Sequence, residues 1–125
     1  MAAGWDDAAA RAMAAPYLDP LVAAAKRAEH LALVDRWLPD LMDRRLLKTD
    51  LWEEAVGGDE LLFTLAARAR SVHAIDVSPR VVEAAAQEAR RRGLGDGAAA
   101  TLATADLRAI PLPDGAVDAV LSTST

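Results

Sequence analysis

The sequence predicts an α/β fold, a parallel sheet whose strands are joined by helical crossovers. Three observations carry that prediction. From about Arg45 onward, short apolar runs alternate with stretches of helical spacing. The clearest helical stretch is opened by Ser78-Pro79 and closed by Gly93, and Pro111 and Pro113 fall between apolar runs rather than inside them. Strand, helix, strand, helix, strand, loop, strand is the order that right-handed parallel crossovers produce.

Taken in chain order, Asp19 is placed as an N-cap with Pro20 at the first helical position. From there to about Leu41, the residues Leu21, Val22, Ala25, Ala28, Leu31, Leu33, Val34, Trp37 and Leu38 recur at mostly helical spacing, and Pro39 ends the helix near Leu38. Residues 1–44 therefore read as an N-terminal helical segment and 45–125 as the sheet-forming part. Arg45–Thr49 is the first strand. Asp59–Arg70 follows as an amphipathic helix with Leu61, Leu62, Leu65 and Ala69 on one side. Ser71–Asp76 is the second strand, and a helix from Pro79 to about Arg92 is capped by Ser78 and stopped by Gly93. Ala99–Ala105 is an alanine-diluted third strand. Ile110–Gly115 is a loop, because its two prolines cannot sit in a central ladder, and Val117–Ser122 is the fourth strand.

Composition narrows the function classes. A chain of 125 residues suffices for one domain with a modest core. Lys and Arg number 14 against 19 Asp and Glu, a net charge of −5, which argues against a polyanion such as nucleic acid as partner. Hydrophobic residues make up 53% but aromatics only 4%, so the core must rest on Leu, Val and Ile rather than on rings or the abundant alanine. The absence of cysteine removes disulfides, thiolate nucleophiles and Cys-ligated zinc, and suits a reducing compartment. The first residues carry Asp6, Asp7 and Arg11 and lack a basic leading segment followed by a leucine-rich run, so a signal peptide is not expected. No run approaches the roughly 18 apolar residues of a membrane span. A cytoplasmic location is expected.

In parallel sheets, ligands bind at the carboxyl ends of the strands. Asp76 stands at such an end, just before a helix. A carboxylate there accepts hydrogen bonds from the two adjacent hydroxyls of a ribose, or simply complements the positive end of the helix dipole. Asp106, just beyond the third strand, is a second acid of this kind, with a solvated loop acid as its plainer reading. His30 and His73 stand 43 residues apart without ligand spacing, so no metal site is expected. Trp5, Trp37 and Trp52 read first as core or interface anchors. Arg90-Arg91-Arg92 opposes the dipole at a helix end.

The string HAIDVSPRVVEAAAQEARRRG resembles the second motif of the Rossmann-like S-adenosylmethionine-dependent methyltransferases, and ATADLRAIPLPDGAVDAVLSTST resembles their next two motifs. The resemblance runs from about Arg45 to Thr125 and is most specific from Val72 onward. The 30 residues between Asp76 and Asp106 fit that family. It implies a three-layer α/β/α sheet of strand order 3-2-1-4 and S-adenosyl-L-methionine as cofactor. It further implies that Asp76 holds the ribose hydroxyls, Val77 lies against the adenine, Asp106 accepts from the adenine amino group and the Leu107 backbone faces a ring nitrogen. An Asp at position 118 has a structural role in such enzymes, and Ser122–Thr125 fall near where they place the transferred methyl group.

The first motif departs from the pattern. Family members carry an acid and then a Gly-x-Gly turn directly after the first strand, whereas LLKTDLWEEAVGGDELL has Lys48 or Asp50 near the acid and Gly57-Gly58 about eight residues on. This segment reads as a rebuilt, longer and more acidic cofactor loop, in which Asp50, or else Glu53 or Glu54, meets the cofactor's cationic amino group and Gly57 and Gly58 lead the next helix. The expected function is methyl transfer from S-adenosylmethionine to an unidentified acceptor, a small molecule rather than a macromolecule, and no catalytic base is assigned. The chain reads as the cofactor-binding N-terminal part of a longer protein, ending after the fourth strand. The alternative is a non-catalytic or truncated member that binds cofactor weakly or not at all. An NAD enzyme is disfavoured, because a compact G-x-G-x-x-G is missing.

Overall fold

A computed structural model describes residues 6–7, 20–56, 61–94 and 100–123. Helix α1 spans Pro20–Trp37 and leads through a 3-10 turn, Leu41–Asp43, into β1, Arg45–Lys48. Two helices follow, α2 at Trp52–Val56 and α3 at Leu61–Arg68, then β2 at Ser71–Asp76, α4 at Pro79–Arg91, β3 at Ala100–Thr104 and β4 at Ala119–Leu121. The strands form one sheet of order β3-β2-β1-β4, parallel throughout. The order 3-2-1-4 is the one expected.

Register decides which side chains face the core. Leu46 pairs with Val72 on one side and Ala119 on the other, and Val72 pairs with Ala100. Since side chains alternate along a strand, Leu46, Lys48, Val72, Ala74, Leu102, Ala119 and Leu121 share one face. That face carries the core, packed with Leu51, Leu61, Leu62, Leu65, Val81 and Ala85 of the crossover segments. Each fully buried leucine contributes about 1.5–3 kcal/mol. On the opposite face Leu47 and Ile75 are buried, while Thr101, Ala103 and Val120 are exposed.

The strongest element is α4, and its ends explain why. The Ser78 hydroxyl accepts from the Val81 amide at 3.4 Å, and Pro79 opens the helix. At the other end, Leu94 N donates to Ala89 O at 2.9 Å and Gly93 N to Arg90 O at 3.0 Å. This is a Schellman closure, and Gly93 takes the φ of +86° that it needs. The Arg92 guanidinium then covers the Phe63 ring at 4.5 Å.

Three expectations need correction. The segment expected as a rebuilt cofactor loop after β1 turns helical at Trp52, where Ala55 N donates to Leu51 O at 3.0 Å and Glu53 and Glu54 sit favourably in the first turn. The apolar face read along α1 is only partly used: Ala23 and Val34 are buried, but Leu21 is 81% and Trp37 69% exposed, so Trp37 is no core anchor. β4 spans Ala119–Leu121 rather than Val117–Ser122. Asp19, Gly57, Gly58, Trp5 and Ala99 lie outside the described residues.

Candidate functional site

The carboxyl edge of the sheet gathers four polar residues: Asp50 just past β1, Asp76 ending β2, Asp106 past β3 and Thr123 past β4. Backbone contacts draw these strand ends together. Leu51 N donates to Asp76 Oδ2 at 3.0 Å, and Ala105 N donates to Asp76 O at 2.9 Å.

Asp76 is half-buried, and its second oxygen, Oδ1, accepts from Ser78 N at 3.0 Å. Two backbone amides thus fix the carboxylate. Each oxygen keeps a further lone-pair site for an incoming donor. Val77, also half-buried, follows directly.

Next to it lies a contact without any sequence signal. Ser78 Oγ donates to Asp6 Oδ1 at 2.6 Å, and Arg80 donates to Asp6 from its backbone N and its Nε, both at 2.9 Å. The Ser78 hydroxyl first, then the Arg80 backbone amide, hold the Asp6 carboxyl below the usual carboxylate range. A residue 72 positions away in sequence completes the capping of α4.

Asp106 is clamped by its own loop. Arg108 donates to it from its backbone N at 2.9 Å and from Nη2 at 2.6 Å, and these bonds hold its carboxyl down to about 2. Leu107 beside it is 45% exposed. The fourth acid of the motif region, Asp118, faces away from this edge. It accepts from Arg45 N at 2.8 Å and Arg45 Nη2 at 3.1 Å while its own amide donates to Arg45 O at 2.7 Å, which staples the start of β1 to β4. That is a structural role, as the sequence suggested.

The edge after β1 is built differently. Lys48 points to the core face, is 1% exposed, and its Nζ donates to Asp50 O at 2.7 Å, Glu54 Oε1 at 3.1 Å and Asp50 Oδ1 at 3.4 Å. Leu62 N donates to the other Glu54 oxygen at 3.4 Å. Thr123 Oγ1 donates to Asp50 Oδ2 at 3.2 Å. Glu53 pairs with Lys26 at 3.6 Å. Carboxylate oxygens of Asp50, Glu53 and Glu54 lie within 4.8 Å of one another, and the ammonium of Lys48 bonds two of the three acids. Burial pushes the Glu54 carboxyl up to about 7 against the pull of Lys48. Burial also raises Asp50, with the Lys48 charge opposing it. Burial disfavours the Lys48 cation, yet the charges of Glu54 and Asp50 outweigh it and raise its pKa.

The structure therefore brings Asp50, Asp76, Val77, Asp106 and Leu107 to one edge of the sheet. Glu53 and Glu54, the other acids considered for the cofactor's amino group, are buried beside Lys48 and Lys26 rather than presented at that edge. Trp52 packs against the hydrophobic core. His73 Nδ1 meets Thr101 Oγ1 at 2.5 Å across the strands, a surface contact on the face away from the core.

Comparison with known proteins agrees with this architecture. The methyltransferase domain family matches residues 52–125. No curated protein matches the chain. Among solved structures, the YcgJ protein of Bacillus subtilis superimposes with a TM-score of 0.61 at 16% identity, over 76% of this chain and 37% of that one. A SAM-dependent methyltransferase from Aquifex aeolicus gives 0.61 at 20% identity, over 85% of this chain and 57% of its own. SpnF, a [4+2]-cyclase, gives 0.58 at 28% identity, over 78% of this chain and 33% of its own. The chain thus spans between a third and somewhat over half of the length of these structures.

Proposed function

The chain belongs to the methyltransferase domain family, and from that premise we propose that residues 45–125 form the cofactor-binding part of an S-adenosylmethionine-dependent methyltransferase. The observation that carries this reading is Asp76, fixed by the Leu51 and Ser78 amides at the end of β2 with acceptor capacity left on both oxygens. A ribose diol suits that carboxylate. Beyond β3, Asp106 and the apolar Leu107 suit an adenine amino edge and ring. The adenosyl half of the cofactor therefore fits the residues present.

When bound, the cofactor supplies an electrophilic methyl group on a sulfonium. The chain's own contribution is positioning: Asp76 orients the ribose, Val77 shields the base, the Leu107 backbone faces a ring nitrogen, and the Leu51 amide ties the β1 loop to the same carboxylate. A small-molecule acceptor is supported by the 19 acids against 14 bases, which disfavour nucleic acid. Among the described residues no helix is long and apolar enough to cross a membrane. A cytoplasmic setting is supported by the lack of cysteine.

A second reading, a member that binds the cofactor weakly and does not transfer methyl groups, is favoured by Lys48 standing where the family carries its acid. Calorimetric titration of S-adenosylhomocysteine decides between them. The methyltransferase reading expects saturable binding that Asp76→Ala weakens by about 1–3 kcal/mol and Asp106→Ala by about 1 kcal/mol. Unchanged affinity in both variants, or no binding to the folded chain, overturns it.

A further inference from the structure

The turn from β2 into α4 has three amide donors to satisfy, those of Ser78, Arg80 and Val81, because Pro79 carries no N–H. Ser78 N goes to Asp76 Oδ1 at 3.0 Å, Val81 N to Ser78 Oγ at 3.4 Å and Arg80 N to Asp6 Oδ1 at 2.9 Å. The first two acceptors belong to the turn or the strand before it. The third comes from near the start of the chain, outside the residues 52–125 that match the methyltransferase domain family. Asp6 also receives the Ser78 hydroxyl on Oδ1 at 2.6 Å and Arg80 Nε on Oδ2 at 2.9 Å, so one carboxylate grips the turn at three points.

That grip bears directly on Asp76. The Ser78 amide is one of the two that orient its carboxylate, and Ser78 itself is 2% exposed, so its backbone and hydroxyl are placed together. A second carboxylate at this helix end would ordinarily repel Asp76. The Arg80 guanidinium, paired with Asp6, offsets the added charge where it arises. Asp6 thus contributes its hydrogen bonds to the turn without setting an uncompensated anion against the ribose acid.

We infer that Asp6 is a positioning residue for the nucleoside. By holding Ser78 and Arg80 it sets the Ser78 amide, and through that amide the Asp76 carboxylate, so that less of the ligand's binding energy goes to ordering the acid that receives it. The inference rests on the adenosyl reading of Asp76, and the two fail in different ways.

The test is calorimetric titration of S-adenosylhomocysteine into the full chain and into Asp6→Ala, Asp6→Asn, Ser78→Ala and Asp76→Ala, with a thermal melt of each. Asp6→Ala is expected to weaken binding about fivefold. Asp6→Asn keeps an oxygen for the Ser78 hydroxyl and the Arg80 amide, and is expected to stay within about twofold of the unaltered chain. Ser78→Ala destabilises the same helix end but leaves Asp6 on Arg80, and its affinity is also expected to stay within about twofold. Affinity would then follow the Asp6 contact and not the melting temperature, a split that a merely structural role does not produce. Unchanged affinity in Asp6→Ala, with Asp76→Ala weakened, overturns the positioning role and leaves the adenosyl reading standing. An equal loss in Ser78→Ala or in Asp6→Asn overturns it too, the former pointing to general stability and the latter to charge; these two variants decide even where Asp6→Ala does not fold. No binding to the folded, unaltered chain overturns both.

Discussion

Two neighbouring strand ends carry the same residue type and do opposite things with it. At the end of β2, Asp76 is met by backbone amides, which orient the carboxylate without exhausting it. Just past β1, Asp50 is met by a buried lysine and a threonine hydroxyl, and Glu54 by the same lysine and the Leu62 amide. Amide donors leave an acid available for a ligand, whereas an ammonium in a dry setting ties the acid into the core. An acid at a strand end is therefore not enough to make a binding residue; its counter-group decides.

The contrast breaks most sharply at Lys48. Lys48→Met strands two buried carboxyl groups and is expected to cost about 3–5 kcal/mol in urea denaturation at pH 7.5, the range for removing one partner of a buried pair. A cost under about 1 kcal/mol would mean that the cluster is solvated. Next in size is the response to pH. Glu54 releases its proton at about 7 in the folded chain and at 4.5 when unfolded. Between those values the folded state holds a proton that the unfolded state has lost, so stability falls as pH rises through that window, by roughly 3 kcal/mol. Glu54→Gln should flatten that slope when denaturation is compared at pH 4.5 and 8.

The other side of the comparison is sharpened by smaller changes. Ser78→Ala removes the cap of α4 and the hydroxyl that reaches Asp6, and should lower stability by about 1 kcal/mol while leaving the Ser78 amide on Asp76. Arg108→Ala removes an exposed pair and should leave the thermal midpoint unchanged within the error of a melting curve.

The β2–α4 unit was legible because its signals are local: alternation in SVHAID, a serine before a proline, and a glycine after the last helical turn. Asp118 was legible through its motif. The region after β1 was not. WEEAV is too short to show a helical period, and its helix is held by tertiary packing of buried Leu51 and Glu54. A lysine ending a strand reads as solvent-facing, yet two-residue alternation from Leu46 puts Lys48 on the core face, a signal that the sequence did contain. The Asp6 contact joins residues 72 apart and leaves no pattern to read. Along α1, apolar spacing overstated burial, because Leu21 and Trp37 face solvent despite their periodicity.

Asp76, with the amides that fix it, is the proposed ligand-binding centre of this edge. That role is tested most directly by following backbone amide signals in nuclear magnetic resonance while S-adenosylhomocysteine is added to the full chain. The Leu51, Ser78 and Ala105 amides, which converge on Asp76, are expected to move together and saturate. Their remaining unmoved in a folded chain at saturating ligand would contradict it.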